Sequence, residues 1–199
     1  MINAICVYCG ASAGTLPAYA EAARALARDL VEQRIALVYG GGKVGLMGII
    51  ADEVMRLGGD VTGVIPTALL DKEVGHTGLT RLHVVKDMHE RKAMMAHLAD
   101  GFIALPGGIG TLEELFEVMT WSQLGFHDKP IGLLNTLGFY DGLIGFLDHV
   151  ATHGFLRGSH QKLLMHDVDC ANLIARFHSH VPGQIEKLLD RATVQTLLP

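Results

Sequence analysis

The feature that most constrains this chain is a strand that leads into a glycine turn and then a helix, all within residues 101–135. The apolar run 102–105 is typical of a buried strand, and Pro106-Gly107-Gly108 ends it. Apolar residues then recur at helical spacing over residues 111–125. The first turn of a helix has unpaired backbone N–H groups at the positive end of the helix dipole, so this junction predicts an anion site, above all for phosphate.

The first turn of this helix has two interpretations. Thr111 and Glu114 have the spacing of a capping box, in which the threonine caps the helix and the glutamate bonds back to the cap, and neither side chain does chemistry. Alternatively, the turn binds an anion and Glu114 is catalytic. Gly107, Gly108 and Gly110 favour a bound anion, because the backbone can approach it with no Cβ in the way.

The rest of the chain repeats the same strand, turn and helix pattern. We predict strands over residues 2–9, 35–39, 61–65, 82–85, 102–105, 130–134 and 163–165, and helices over 16–33, 46–57, 87–99, 111–125, 140–153, 167–179 and 184–192. This alternation predicts an α/β fold, a single-domain Rossmann-like doubly wound parallel sheet with helices on both faces. We expect the domain to span residues 1–182, with a C-terminal helical tail over 183–199.

Ligands of such sheets bind beyond the carboxyl ends of the strands. The glycine turns after Cys9, Tyr39 and Pro106 are all expected at that edge, together with the start of the helix that carries Arg91 and Lys92. Two adjacent cations near the positive end of a helix are unfavourable unless an anion lies beside them. Arg91 and Lys92 are therefore either anion-binding residues or an ordinary solvated surface pair.

Several other functions are disfavoured by composition and spacing. A net charge of −5 gives no basic footprint for nucleic acid, and no apolar run is long enough to cross a bilayer. The N-terminus lacks the features of a signal peptide, so we expect a cytoplasmic location. Gly40, Gly42 and Gly45 match the dinucleotide fingerprint only weakly, because no acidic residue ends the next strand. Cys6-Val-Tyr-Cys9 has no second pair, so we expect no metal site.

The paired motifs 88–92 (MHERK) and 106–114 (PGGIGTLEE) resemble the LOG family, the cytokinin riboside 5'-monophosphate phosphoribohydrolases, once labelled "possible lysine decarboxylase". The similarity runs from the 7–12 segment (VYCGAS) through 39–42 (YGGG) to 128–134 (DKPIGLL), and so covers most of the chain. The resemblance implies hydrolysis of the N-glycosidic bond of an N6-substituted adenosine 5'-monophosphate. The products are the free base, a cytokinin or adenine, and ribose 5-phosphate.

The resemblance also implies site residues, which are numbered here in this chain. Arg91 and Glu114 match the catalytic pair of the family. We expect the following residues to bind the substrate: Glu73, Met88, Lys92, Gly107, Gly108, Ile109, Gly110, Thr111, Leu112 and Glu113. No cofactor is expected. The expected partner is a small-molecule nucleoside monophosphate, without nucleic acid or membrane, and the expected assembly is a homodimer.

Three alternatives remain open from the sequence. A nucleotide-binding or sensing module without turnover uses the same phosphate turn but needs no carboxylate near the sugar. An NAD-dependent oxidoreductase depends on the weak fingerprint described above. A lysine decarboxylase needs a lysine that carries pyridoxal phosphate, and Lys43, Lys92 and Lys129 are the lysines near the predicted edge.

Overall fold

Seven parallel strands form one sheet in the computed structural model, which describes residues 1–70, 75–183, 185–189 and 193–194. The strands are β1 (Ala4–Tyr8), β2 (Ala36–Tyr39), β3 (Val61–Pro66), β4 (Arg81–Val85), β5 (Gly101–Ala104), β6 (Ile131–Leu134) and β7 (Leu164–Asp167). Their order is β4-β3-β2-β1-β5-β6-β7. The chain steps outward from β1 to one edge, then returns to place β5 on the other side of β1. The predicted doubly wound α/β fold is confirmed.

Helices cover both faces of the sheet. On one face α1 (Pro17–Glu32) and α2 (Gly45–Arg56) pack in a core with α8 (Cys170–His178). On the other face α4 (Met88–Leu98) and α5 (Ile109–Leu124) pack in a core with α6 (Asp141–Thr152). The short helices are α3 (Thr67–Leu70), α7 (Gly158–Gln161) and a 3-10 turn at Thr136–Gly138. Side chains of β1 alternate between the cores, as the period of a strand requires.

The start of α5 differs from the sequence prediction. Gly108 occupies the N-cap position in an extended conformation, and no side chain caps the helix, which begins at Ile109 rather than at Thr111. Thr111 is consequently the third helical residue and not the cap, so the capping-box interpretation is wrong. The helix ends where Gly125 takes a left-handed φ of 101°. The other predicted strands, and the predicted helices that pack on the sheet, have boundaries within three residues of the observed ones.

The end of the chain also differs from the prediction. Residues 185–189 are not helical, and the rest of the helix predicted there lies outside the described residues. The segment is held by Lys187, whose Nζ is 2.7 Å from Oδ1 of Asp128 and 2.9 Å from the carbonyl oxygen of Ser122. A side chain bonded to the body of the protein at two places fixes this segment without regular structure of its own.

Two pairs of residues in this chain have a spacing that resembles part of a metal site, Cys6 with Cys9 and His149 with His153. Cys6 and Cys9 are buried and free, and burial raises the pKa of both thiols. His149 and His153 lie ring against ring on α6, with centroids 4.2 Å apart. Within the ranges described above, no group of three histidine, cysteine, aspartate or glutamate side chains is placed to hold a metal ion. The same part of the chain has no helix long and apolar enough to cross a membrane.

His127 makes the stability of the fold sensitive to pH. Its Nε2 lies 3.0 Å from the carbonyl oxygen of Val118, and its Nδ1 accepts the backbone N–H of Lys129 at 3.1 Å. Burial, with the nearby Lys129 and Lys187, lowers the pKa of His127 to about 4. Protonation would also replace the acceptor at Nδ1 by a donor.

We therefore expect acid to destabilise the protein through His127. Between pH 6.5 and 4, His127 is protonated in the unfolded chain and neutral in the folded one. The contribution of His127 to the free energy of unfolding is therefore fully present above pH 6.5 and falls as the pH drops. From pH 7 to pH 4.5 the loss is about 2 kcal/mol. Urea unfolding of the wild type and His127→Gln at both pH values measures it. The wild type should lose more stability than the variant, and equal losses would contradict the assignment.

Candidate active site

The glycine turns after β1 and β5 meet at the point where the strand order reverses. The N–H of Gly10 donates to the carbonyl oxygen of Pro106 at 3.1 Å, and the N–H of Leu46 donates to the carbonyl oxygen of Gly10 at 3.0 Å. Gly45 has a φ of +60°, and a Cβ on it would lie 2.3 Å from the carbonyl carbon of Ala11. The loops therefore pack backbone to backbone. In doubly wound sheets this reversal point is where ligands bind.

The first turn of α5 opens onto this point. A Cβ on Gly107 would lie 2.1 Å from Oγ1 of Thr111, so the threonine hydroxyl occupies the space that a larger residue at 107 would need. In contrast, a Cβ on Gly108 or Gly110 would meet no atom within 4 Å. No side chain caps this turn, so the N–H groups that follow Gly108 are not bonded to a capping side chain. This is the geometry of a helix N-terminus that binds an anion.

Arg91 lies in the first turn of α4, and Asp87 caps that helix by accepting the N–H groups of His89 and Glu90. The Arg91 side chain is buried, with 6% of its surface exposed. Its Nη2 donates to the carbonyl oxygen of Gly40 at 3.2 Å, and its Nη1 is 3.6 Å from Sδ of Met88. In the described part of the chain, Nε has no hydrogen-bond partner.

A guanidinium held in this way is costly. An unpaired buried donor destabilises the fold by about 1–3 kcal/mol, and such groups in native proteins usually have a functional explanation. The two terminal nitrogens contact one backbone carbonyl and one thioether sulfur. The orphaned Nε gives Arg91 a buried donor that a ligand could satisfy.

Glu114 lies on α5, is half-buried, and is close enough to β1 for its charge to act on Cys6. Burial is the main cause of the raised pKa values of Cys6 and Cys9, and the negative charge of Glu114 is the next in both. The positive charge of Arg91 acts on Cys6 in the opposite sense. The carboxylate of Glu114 on α5 and the guanidinium of Arg91 on α4 thus both lie close to β1.

Lys92 turns away from Arg91 toward α5. Its Nζ lies 2.7 Å from Oε1 of Glu113 and 2.9 Å from Oε1 of Glu117. Partial burial alone would lower the pKa of Lys92, but the hydrogen bonds to the two carboxylates outweigh it and raise the pKa. The ion pairs join α4 to α5 and so fix the distance between the helices that carry Arg91 and Glu114.

These groups line one cleft of about 310 Å³. Its lining consists of Cys9, Ala11, Met47, Leu69, Met88, Arg91, Gly108, Gly110, Thr111, Glu113 and Glu114. The cleft has the uncapped N-terminus of α5 at one side, with the buried Arg91 and the half-buried Glu114 in its lining. Such a cleft suits a ligand with an anionic group near a centre where charge develops during a reaction.

A second cavity of about 380 Å³ lies on the other side of the same turn and shares Ala11 and Gly108 with the cleft. Its walls are the glycine and alanine backbone of residues 10–14. Tyr19 and Phe139 form an aromatic pair there, with centroids 5.8 Å apart. This second cavity is almost entirely apolar and carries no charged side chain in its lining.

Comparison with known proteins identifies the family. The family described as "Possible lysine decarboxylase" matches residues 47–177. The cytokinin riboside 5'-monophosphate phosphoribohydrolase LOG5 of Arabidopsis thaliana is 47% identical over 89% of this chain and 78% of its own length. LOG7 of the same plant is 48% identical over 89% of this chain and 82% of its own length. The chain belongs to the LOG family. The resemblance seen in the sequence is thereby confirmed.

Solved structures with lower sequence identity share the fold of this LOG family member. The molybdenum cofactor carrier protein of Chlamydomonas reinhardtii superposes with a TM-score of 0.66 over 90% of this chain and 98% of that one, at 20% identity. The molybdenum cofactor binding protein of Rippkaea orientalis gives a TM-score of 0.66 over 90% and 97%, at 18% identity. At such low identity the likeness establishes the fold.

The LOG motifs of this chain converge on the cleft, although not every predicted residue lines it. Met88, Arg91, Gly108, Gly110, Thr111, Glu113 and Glu114 do. Gly107 lines the second cavity, and Leu112 packs against the core. The side chain of Ile109 is 82% exposed. Lys92 is engaged by its two glutamates, and Glu73 lies outside the described residues.

The cleft of this family member also contains residues that the sequence analysis did not single out. Cys9 and Ala11 enter it from the turn after β1, Met47 from α2, and Leu69 from α3. The carbonyl oxygen of Gly40, which follows β2, is the acceptor for Nη2 of Arg91. The glycine-containing turns after residues 9 and 39 were the sequence features that pointed to this region. A turn in the sequence does not predict which distant residues it will contact.

Proposed function

We propose that this protein hydrolyses the N-glycosidic bond of a purine nucleoside 5'-monophosphate, with N6-substituted adenosine 5'-monophosphate as the substrate class. Water adds to C1' of the ribose, the bond from C1' to N9 breaks, and the base leaves with a proton. The products are the free base and ribose 5-phosphate. One observation carries the proposal: an unfilled helix N-terminus, Glu114 and Arg91 share a single cleft.

In this proposal the first turn of α5 binds the 5'-phosphate. The N–H groups that follow Gly108 bind the phosphate oxygens, helped by the hydroxyl of Thr111 beside Gly107. Lys92, Glu113, Ile109 and Leu112 support the turn from α4 and α5, and Met88 borders the substrate. Because the phosphate is remote from the reacting bond, its binding energy is available to orient C1' over the catalytic groups.

The two charged side chains match the charges that develop as the bond breaks. Positive charge builds on the ribose ring, as in glycoside hydrolysis, and the carboxylate of Glu114 stabilises it. Negative charge builds on the leaving purine, and the guanidinium of Arg91 stabilises it. Both side chains act from a partly dehydrated cleft, where a charge interacts more strongly than in water.

The relatives support this assignment. Proteins named cytokinin riboside 5'-monophosphate phosphoribohydrolase align with nearly nine-tenths of the chain. A cytoplasmic location belongs to the same proposal and is supported by three buried free thiols, which reducing compartments preserve.

The test is release of base from nucleotides of defined structure. Purified protein is incubated with AMP, with N6-isopentenyladenosine monophosphate, and with adenosine, and the products are separated by chromatography. We expect equal amounts of base and ribose 5-phosphate from the two nucleotides. From adenosine, kcat/KM should be lower by about 10³-fold, because the orienting phosphate is missing. Nucleotide binding without base release would overturn the proposal in favour of a binding module.

Gly110→Ala should separate phosphate binding from stability. The new methyl group meets no protein atom, and alanine has the higher helix propensity by about 0.8–1 kcal/mol, so the melting temperature should hold or rise. The methyl group nevertheless enters the space beside the N–H groups of the turn, and we expect KM for AMP to rise by about 10-fold. Steady-state kinetics and thermal unfolding measure both.

Gly145→Ala is the matched control for that variant. Gly145 lies within α6, is exposed, and also has no atom near an added Cβ. This substitution should change the melting temperature in the same direction and leave KM unaltered. An unchanged KM in Gly110→Ala would contradict a phosphate at this turn.

A homodimer is also part of the proposal. Ile109 is 82% exposed and Met88 is 40% exposed, and both lie around the mouth of the cleft, where a second copy would cover them. Sedimentation equilibrium should give twice the chain mass of 21.4 kDa. A mass of one chain at micromolar concentration would contradict the dimer and leave the proposed reaction untouched.

A further inference from the structure

Gly40 lies at the end of β2, buried and directly under the guanidinium of Arg91. A Cβ built on Gly40 would lie 2.0 Å from Nη2 of Arg91 and 3.2 Å from its Cζ, and the next nearest atom is Sδ of Met47 at 3.6 Å. The space that any other residue would fill at position 40 is therefore occupied by the arginine side chain.

The backbone itself does not require glycine at this position. The φ of Gly40 is outside the left-handed region, whereas its neighbour Gly41 has a φ of +77°. Alanine could adopt the backbone conformation of residue 40 without strain. The guanidinium alone requires glycine here.

The carbonyl of the same residue directs the guanidinium. It accepts a hydrogen bond from Nη2 at 3.2 Å, across 51 residues of sequence. Gly40 thus provides both the space for the head group and an acceptor that sets its direction. Met88 adds a weak contact from the other side, at 3.6 Å from Nη1.

We propose that Gly40 is a positioning residue for the reaction, which sets the location of the Arg91 guanidinium in the cleft. The inference rests on the proposed function, because the position of Arg91 affects turnover only if that residue acts on the substrate. The glycines at positions 40, 42 and 45, which formally match a dinucleotide fingerprint, thereby acquire another explanation at the first of them.

The expected consequence of Gly40→Ala is a displaced arginine in a folded protein. To reach ordinary van der Waals distance the guanidinium must retreat by more than 1 Å, and misplacement of that size lowers turnover by about 10²-fold. The three atoms nearest a Cβ on residue 40 belong to Arg91 and Met47 and not to the turn of α5. We therefore expect kcat for base release from AMP to fall by about 10²-fold, with KM within about 3-fold of the wild type.

A double-mutant cycle with Arg91→Lys distinguishes positioning from general damage. Lysine has no Nη2, so an alanine at position 40 has little to displace. Arg91→Lys and Arg91→Lys with Gly40→Ala should differ by less than about 2-fold in kcat, although Gly40→Ala alone has a large effect. An equal fold-loss in both backgrounds would overturn the proposal.

Gly132→Ala is the control for crowding at a glycine. Gly132 lies in β6, and a Cβ there would approach Cδ1 of Leu173 at 2.8 Å, in the core on the far side from the cleft. We expect this variant to lose stability and to keep the wild-type kcat. A loss of kcat like that of Gly40→Ala would show that core crowding alone explains the effect, and would overturn the proposal.

The remaining outcomes also decide the question. If Gly40→Ala has the kcat of the wild type, the inference is overturned. The proposed function is still supported in that case, because the wild type releases base. Absence of base release by the wild type overturns the proposed function itself. If Gly40→Ala fails to fold, recovery of folding in the double variant with Arg91→Lys supports the inference, since it removes the atom in conflict. Failure of the double variant to fold overturns it.

Discussion

Glu114→Gln is expected to lower kcat for base release from AMP by about 10³-fold, with KM changed by less than about 3-fold. Glutamine has nearly the same shape as glutamate and keeps one oxygen, so the packing of α5 is preserved. The variant loses the negative charge that stabilises the developing cation on the ribose. The loss therefore appears in the transition state and hardly in binding. Steady-state release of adenine, with thermal unfolding as a companion measurement, tests this expectation.

Glu117→Gln is the matched control for Glu114→Gln. Glu117 lies on the same helix, three residues further on, and also carries a carboxylate in an ion pair with Lys92. We expect kcat within about 3-fold of the wild type, because Lys92 retains Glu113 as its partner. Comparable losses in both variants would show that charge on α5 matters generally and would refute the role given to Glu114.

Arg91→Ala is expected to give the other large effect, a loss of about 10²- to 10³-fold in kcat/KM. The substitution removes the cation that stabilises the leaving base and also leaves a void in a buried place. It also removes the unpaired Nε, whose burial destabilises the native state. The free energy of unfolding should consequently change far less than the activity does.

Chemical rescue separates the role of Arg91 in turnover from a role in packing. Guanidinium ion at millimolar concentration should restore part of the activity of Arg91→Ala, since it can occupy the void and supply the missing charge. Arg56→Ala serves as the control, because it removes a mostly exposed guanidinium bonded to Glu53 on α2. We expect wild-type turnover from that variant. An Arg91→Ala protein with wild-type turnover would exclude the proposed assignment of charges.

The elements of the fold were predictable because their signals are local. Alternating runs of apolar residues and glycine turns gave each of the seven strands and nearly every helix to within a few residues. The parallel sheet followed from the crossover connections that those helices provide. The short helices α3 and α7 and the 3-10 turn were not predicted. A helix was wrongly predicted over 184–192, where residues 185–189 are not helical. Contacts of Lys187 with distant residues decide its path, and these are not visible in a local pattern.

The start of α5 shows how one short sequence permits two local structures. Thr111 and Glu114 fit a capping box, and the same letters fit an open anion site. The structure excludes the capping box because Gly108 takes the cap position, which moves Thr111 into the helix. Packing of the turn against the loop after β1 determines where the helix begins, through the bond from Gly10 to Pro106.

By itself, the sequence predicted an anion site, a carboxylate and a guanidinium at one edge of a parallel sheet, since each depends on a local motif at the carboxyl end of a strand or the start of a helix. Only the tertiary structure decided which partner each charge has. Lys92 and Arg91 are adjacent in sequence, yet Lys92 is neutralised by two glutamates while Arg91 lies against the carbonyl of Gly40. The physical reason is that pairing and burial depend on which distant segments pack together, and adjacent side chains on a helix point in different directions.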